Sequence, residues 1–357
     1  MIAKDQVIKV QFICKNRIDS YGISYGLLNS AKFVLNALQN QKCYCSNDKI
    51  EGEVVSVLDG NGIDREVQRY KPNFVSIQAL WVTPDKMGVL LEKYPKIKFV
   101  VRIHSKIPFL ANEGIAFDWI NGYKLLTKKY NNLYLSGNSR TFHDDINETI
   151  GIRSVYLPNI YAPEESDESD ESDKITCNNE KDKNIINIGC FGALRPMKNH
   201  MNQAVAAVRF ADKINKKLRF HINGTRIEQR GDSVLKNLRA YFKESQHELV
   251  EHEWLDHNDF LKLVKSMDLG MQVSYSETFN IVAADFVTQN IPIVMGEDID
   301  WAHWLYKADP NNTNDIVAKL QIARMGKLLN LQKLNKIRLK KYNKNSLQEW
   351  INFLCKR

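Results

Sequence analysis

A chain of 357 residues with 43% apolar, 10% aromatic and 26% charged side chains holds enough apolar material for two cores, which excludes the disordered and fibrous classes. It has no run of about 18 apolar residues, and its opening residues lack the basic, apolar and small-residue sections of a signal peptide. Neither a membrane-spanning helix nor a leader is therefore expected, and the location reads as cytoplasmic. The formal charge of +8 hides an asymmetry: seven acids and no base lie between Glu164 and Asp173, and outside that segment the chain carries +15. From Val317 to Arg357 eleven bases face one acid, Glu349. Such a segment suits a polyanion, whether nucleic acid, anionic lipid or a phosphorylated substrate, or else it is a solvated helical face. Cys14, Cys43, Cys45, Cys177, Cys190 and Cys355 show neither a disulfide framework nor zinc-site spacing and read as buried or idle thiols.

In chain order, Val7 to Cys14 predicts a strand, and Ser24 to Leu38 a helix with Leu27, Ala31, Val34, Leu35 and Leu38 on one face. A strand at Val54 to Leu58, a helix near Ile63 to Tyr70 and a strand at Asn73 to Gln78 follow. Next come a helix at Pro84 to Lys93, a strand at Lys98 to Ile103 and a helix around Phe117 to Lys128, with short strands at Leu133 to Ser136 and Ser154 to Leu157. Residues 162–184 are too polar to offset their ordering entropy and read as a linker or insertion. The alternation restarts with a strand at Ile185 to Phe191 and a helix at Asn199 to Asp212, whose Met201, Ala204, Val205 and Val208 share a side. Leu218 to Ile222, Leu269 to Val273 and Pro292 to Met295 predict strands, and Phe260 to Ser266 and Ile281 to Gln289 predict helices. Strands alternating with helices imply α/β architecture with parallel sheets. The expected division is 1–161, 162–184, 185–310 and a basic helical segment 311–357, with ligand in the cleft between two sheets.

Two constellations carry chemistry. Gly192 opens a strand-to-helix turn that continues to Arg195 and Lys198, two cations three residues apart that can reach one anion, as a departing diphosphate requires. The alternative is a surface loop with two solvated bases. Glu277 and Asp285 lie eight positions apart, roughly 12 Å if helical, comparable to the span of a nucleotide sugar from hexose to ribose. Alternatively, Glu277 is a helix-dipole partner and Asp285 a solvated helical residue.

Taken together, the order and spacing of these elements from Ile185 to Trp301 resemble the GT-B retaining glycosyltransferases with an E-x7-E signature, the glycogen synthase-like group. Asn223-Gly224, Glu253-Trp254-Leu255 and Ile291-Pro292-Ile293-Val294 belong to the same pattern. In the first half the match is looser, at Tyr21-Gly22-Ile23-Ser24, Arg102-Ile103-His104-Ser105 and Leu157-Pro158-Asn159. The resemblance implies two Rossmann-like domains facing each other across a cleft. It implies that Arg195 and Lys198 hold the donor diphosphate, that Glu277 contacts the donor sugar and that Asp285 stands where a second Glu bonds the ribose. Gly22, Gly192, Asn223, Gly224, Thr278, Phe279 and Asn280 would line the donor, and backbone near Glu253 and Trp254 would hold the base. Thr278 and Asn280 replace glycines common after the first acid, which alters backbone contacts to phosphate. His104 matches the histidine near the reacting sugar, or else caps its strand end. Asp298-Ile-Asp300 fits the metal-binding DxD of the other glycosyltransferase architecture, but it lies late in the chain and reads as a loop.

The implied activity is metal-independent, cofactor-free retaining transfer from a nucleotide diphosphate sugar, with UDP the expected carrier. The basic C-terminal segment, interleaved with Tyr342, Trp350 and Phe353, points to double-stranded DNA as acceptor, through hydroxymethylated bases of the kind some bacteriophages glycosylate. The location would then be the host cytoplasm. Lys333, Lys336, Lys340 and Lys344 recur at helical spacing and form the expected polyanion-binding stripe; the resemblance implies a terminal helix that packs back across the cleft and would bring the stripe beside the acceptor. The alternatives are a lipid-linked or cell-surface glycan, with the segment resting on anionic membrane, and a non-catalytic nucleotide-sugar or DNA-binding protein.

Overall fold

The computed structural model describes residues 7–17, 22–40, 49–152, 154–163 and 182–355. Tyr21, the acids from Glu164 to Asp173 and most of the expected 162–184 linker lie outside the described residues. Contacts divide the chain into two units, Met1–Glu164 with Tyr342–Arg357, and Glu165–Lys341.

The first unit runs β1 (Val7–Arg17), β2 (Gly22–Ile23), α1 (Tyr25–Gln39), β3 (Lys49–Val57), α2 (Gly60–Tyr70), β4 (Phe74–Gln78) and α3 (Pro84–Lys93). It continues with β5 (Lys98–Ile103), α4 (Ile107–Leu110), α5 (Ala116–Lys129), β6 (Leu133–Gly137), α6 (Arg140–Asp145), a π-helical turn at Ile146–Ile150 and β7 (Ser154–Tyr156). Parallel pairing sets the order β3-β1-β4-β5-β6-β7, and β2 pairs antiparallel with the end of β1. Every residue of β4 is buried, as a central strand covered on both faces requires. Helix starts follow local chemistry: Thr83 caps α3 ahead of Pro84, and Asp59 accepts from the first N–H groups of α2.

The second unit contains β8 (Ile185–Gly189), a 3-10 turn at Pro196–Lys198, α7 (His200–Lys213), β9 (Lys217–Asn223), α8 (Gly231–Lys243), β10 (Glu248–His252) and α9 (His257–Ser266). Then come β11 (Leu269–Gln272), α10 (Ile281–Thr288), β12 (Ile293–Gly296), a 3-10 turn at Trp304–Tyr306, β13 (Lys307–Ala308) and α11 (Thr313–Leu328). Its six strands are all parallel in the order β10-β9-β8-β11-β12-β13, the doubly wound arrangement of nucleotide-binding sheets. The last helix, α12 (Lys333–Cys355), starts among residues of this unit and ends in the first.

The differences from expectation have local causes. α4, α6, α8, β2, β10, β13 and the π turn are not predicted; α8 and β10 are mostly polar and the others are short. α7 buries His200, Gln203, Ala204, Ala207 and Ala211, whereas Met201, Val205 and Val208 are only half-buried. Small residues face the sheet there because they permit close packing. Cys14 and Cys190 are buried free thiols, as read, but Cys355 is disulfide-bonded, a pairing that spacing along the chain does not signal. Trp350, Ile351 and Leu354 of α12 belong to the core formed by β1, α1 and β3. Trp350 is 1% exposed, donates its indole N–H to the Pro158 carbonyl at 2.8 Å and lies beneath the Arg102 guanidinium. Replacing Trp350 with Ala should destabilise the first unit by about 3–5 kcal/mol, read as a lowered urea midpoint. A loss below about 1 kcal/mol would mean that the helix end is not part of this core.

Candidate functional site

In the second unit the loops after β8, β9 and β11 leave the C-terminal edge of the sheet beside the point where strand order reverses, between β8 and β11. Open sheets of this kind bind ligands there. The first loop turns at Gly192, whose φ of 113° is open to glycine alone. Asn223, at the end of β9, holds it by accepting from the Gly192 N–H at 2.8 Å. Leu194 then exchanges backbone hydrogen bonds with the segment from Arg226 to Glu228. Gly231 starts α8 against this loop, where any Cβ would lie 1.9 Å from the Leu194 carbonyl oxygen.

Arg195 leads into the 3-10 turn, and Asn199, left-handed at φ 57°, donates to the carbonyls of Val273 and Pro310. Gln203 fastens the two loops together: its Nε2 donates to the Lys198 carbonyl, and its Oε1 accepts from the Val273 N–H, both at 2.8 Å. Buried amides thus set the positions of Lys198 and the β11 loop, and charge completes the site.

Lys198 forms an ion pair with Glu277, each side chain 13% exposed. The Glu277 carboxylate also accepts from Asn280 Nδ2 at 3.0 Å and Ser274 Oγ at 3.4 Å, while its own backbone N–H donates to Asp298 Oδ2 at 3.2 Å. Burial pushes the Glu277 carboxyl up, but the charge and hydrogen bond of Lys198, with Arg195 and the Thr278 N–H, outweigh it and hold the group below its ordinary value. Arg195 pairs with Glu228 at 3.3 Å, and Glu228 also accepts from Arg226 Nε at 2.8 Å. The Arg226 guanidinium lies 4.5 Å from the centre of the Trp254 ring, a cation–π contact. The backbone N–H of Trp254 donates to Thr225 Oγ1 at 3.1 Å.

The structure therefore brings Lys198, Glu277 and Asn280 into contact, with Arg195 three residues before Lys198 on the same loop. Other expected residues serve the scaffold. Asn223 ties the Gly192 loop, Gly224 extends the β9 ladder by donating to the His252 carbonyl, and the Phe279 ring packs in the core against Trp301. Glu277 is not helical: α10 begins at Ile281, because Asn280 at φ 60° caps it through the Ala283 N–H, so a helical 12 Å separation of the two acids does not apply. The Asp285 carboxylate is 2% exposed and accepts from His257 Nε2 at 2.8 Å. Burial lowers the His257 pKa, but the hydrogen bond and charge of Asp285, with Asp256, outweigh it and hold the pKa above its ordinary value. Asp298 and Asp300 lie in the turn after β12, as read, where Asp298 braces Glu277. Sequence reasoning missed Glu228, Arg226, Gln203 and His257. The alternation Arg226-Ile227-Glu228 is the one signal it could have used.

In the first unit Gly22 lies in β2 opposite Arg17. His104 follows β5 inside a polar cluster whose root is Arg102, a fully buried cation. Arg102 donates to Leu157 O at 2.9 Å, Gln78 Oε1 at 3.1 Å, Ser30 Oγ at 3.3 Å and Asn159 Oδ1. A guanidinium can only donate, so Gln78 must turn its oxygen towards it. That same oxygen lies 3.0 Å from His104 Nε2, nearer than the Arg102 Nη1 at 3.4 Å, so the contact with Gln78 favours a proton on Nε2 and leaves Nδ1 to accept from Asn138 Nδ2 at 3.4 Å. Burial and the Arg102 charge hold the His104 pKa well below its ordinary value. Bonding to side chains of neighbouring strand ends, more than capping of its own strand, places this ring.

On α12, Lys333, Lys336, Lys340 and Lys344 are all exposed. The aromatic residues expected beside them are not: Trp350 is core, and Phe353 packs edge-on against Phe74 and Tyr134.

No protein-family model matches the chain, and no curated protein matches it. Solved structures do. The apo structure of OtsA aligns with a TM-score of 0.68 at 10% identity, covering 98% of this chain and 99% of that one. A trehalose-6-phosphate structure from E. coli bound with UDP-2-fluoro glucose aligns at 0.64 and 11% identity, covering 98% and 99%. A UDP-forming α,α-trehalose-phosphate synthase from Burkholderia vietnamiensis aligns at 0.63 and 10%, covering 98% and 96%. The fold is GT-B, with two Rossmann-like domains.

Two consequences can be measured. The proton on Nε2 of His104 should appear in nitrogen NMR as the Nε2–H tautomer, unchanged between pH 8 and about pH 5; an Nδ1–H tautomer would contradict the relay from Arg102. Burial, reinforced by neighbouring cations, lowers His200 to about 3; burial and His252 lower His221 to about 4. The unfolded chain therefore takes up these protons first. Stability is full above about pH 6.5 and falls as pH drops towards those values, by up to roughly 1.4 kcal/mol per pH unit per histidine. Urea midpoints at pH 7 and pH 5 should differ accordingly, and by less in His221→Gln; equal midpoints would show that both rings are protonated in the folded chain.

Proposed function

We propose that this protein is a retaining glycosyltransferase that moves a sugar from a UDP-sugar to an acceptor hydroxyl without a metal. The observation that carries this reading is the Lys198–Glu277 pair, with Arg195 on the Lys198 loop, at the reversal point of a doubly wound sheet. A departing diphosphate accumulates negative charge, and two cations above a helix start supply the compensation otherwise provided by a metal ion. Glu277 occupies Lys198 before donor binds, so an arriving diphosphate competes for the ammonium and frees the carboxylate to accept from a sugar hydroxyl. Thr278 and Asn280 flank that exchange, and Trp254, stacked on Arg226, offers a flat surface for the base. Asp285, directed to His257, would meet the ribose through that imidazole. Structures of the same fold include UDP-forming synthases and one bound with UDP-2-fluoro glucose, which supports the choice of donor. A sugar hydroxyl donating to His104 Nδ1 would displace the long bond from Asn138 Nδ2.

For the acceptor, the reading best supported is a glycan or lipid-linked sugar at a membrane surface, because large apolar side chains stand exposed among the bases of the α11–α12 region. Double-stranded DNA is the second reading, supported by the exposed lysine stripe on α12, although Trp350 is buried and Phe353 is engaged with Phe74 and Tyr134 instead of bases.

Release of UDP from a panel of UDP-sugars, with lipid-linked glycan or hydroxymethylated DNA supplied in turn, tests both parts. Lys198→Ala and Arg195→Ala should each lower turnover about a hundredfold or more. Glu277→Gln should impair transfer while leaving UDP affinity within a few fold. Normal turnover in all three variants would remove the site from the second unit.

A further inference from the structure

The turn between α11 and α12 presents its largest apolar side chains to solvent. Met325, Leu328 and Leu329 are 67%, 86% and 71% exposed, and Ile337, one turn into α12, is 63% exposed. Met325, Leu328 and Leu329 stand at i, i+3 and i+4 and share a helix face. The opposite face of α11, with Ile316, Leu320, Ala323 and Gly326, is buried. These exposed residues are not loosely packed core. The turn is closed by bonds from the Leu329 and Leu331 N–H groups to the Gly326 carbonyl and by left-handed Asn330, and Gly326 is pressed so near Tyr306 that a Cβ would meet its hydroxyl at 2.9 Å. Folding would be served equally by polar residues at 325, 328 and 329.

Along the chain, the charge at this tip is of one sign. Arg324, Lys327, Lys333 and Lys336 are exposed on the same turn and its flanks, and from Val317 to Gln348 the chain contains no acid. Apolar side chains ringed by cations match a bilayer with anionic headgroups, where the bases meet phosphates and the leucines enter the acyl boundary. A nucleic acid offers the charge but nothing for Leu328 and Leu329 to enter.

We infer that the α11–α12 turn is a membrane-docking surface that inserts Met325, Leu328 and Leu329 into an anionic leaflet while Arg324, Lys327, Lys333 and Lys336 bind headgroups. This deepens the membrane-side acceptor reading and rests on it for its purpose, although docking is measured without transfer. The full chain should co-sediment with phosphatidylcholine vesicles containing a third phosphatidylglycerol and remain in solution with phosphatidylcholine alone. Each base removed should weaken binding about fivefold at low salt, the equivalent of ~1 kcal/mol, so Lys327→Ala, Lys333→Ala and Lys336→Ala together should cost about a hundredfold. Leu328→Asp with Leu329→Asp should abolish vesicle binding while leaving the thermal midpoint and UDP release unchanged. As a second probe that leaves the tip apolar, Leu328→Trp should show a blue-shifted emission with anionic vesicles only.

Absence of binding to anionic vesicles, full binding by the double aspartate variant, or an unshifted Trp emission would each overturn the inference. So would preferential binding of a duplex oligonucleotide over vesicles, or self-association lost in the aspartate variant. UDP release that fails while vesicles still bind would count against the transferase reading and leave the docking surface standing.

Discussion

An ammonium and a carboxylate, each largely withdrawn from water, hold the second unit's working edge together. Lys198 comes from the loop after β8 and Glu277 from the loop after β11, the two strands between which the sheet reverses its order. Either charge alone in that position would bear a desolvation cost of several kcal/mol, which is why removing one partner of a buried pair usually costs about 3–5 kcal/mol. The surrounding polar groups are arranged to keep the pair intact. Asn280 and Ser274 donate to the carboxylate, Asp298 takes up the Glu277 N–H, and Gln203 joins the two loops through their backbones.

The first unit solves a different electrostatic problem. Arg102 is buried within the sheet, and its hydrogen bonds go to carbonyl, amide and hydroxyl oxygens of Leu157, Gln78, Asn159 and Ser30. Burial lowers its pKa to about 9, so it remains a cation at neutral pH and a strict donor. That strictness propagates: the orientation of Gln78 follows from Arg102, and the tautomer of His104 follows from Gln78. Trp350, delivered by the last helix, closes the cluster from beneath through its contact with Arg102.

The terminal region shows how one compositional signal can support two readings until burial is known. Bases interleaved with aromatics read as a nucleic-acid surface. The fold separates them, the lysines outward and Trp350 and Phe353 into the core, and it turns leucines outward instead. What the sequence presents as alternation along a line becomes, on helices, a choice of face.

By itself the sequence determined the two α/β units, most strands to within a few residues and the order of the loops that carry Arg195, Lys198 and Glu277, because apolar periodicity and strand-to-helix punctuation are local properties. The resemblance to GT-B enzymes rested on that order, and the fold agrees with it. Only the tertiary structure decided what each polar side chain faces. That Glu277 lies outside the helix, that Asp285 is turned to His257, that Glu228 answers Arg195 and that Arg102 sets the His104 tautomer all depend on residues distant in sequence. Hydrogen bonds and ion pairs form over about 3 Å, and no pattern along the chain encodes which strand ends the fold will bring that close.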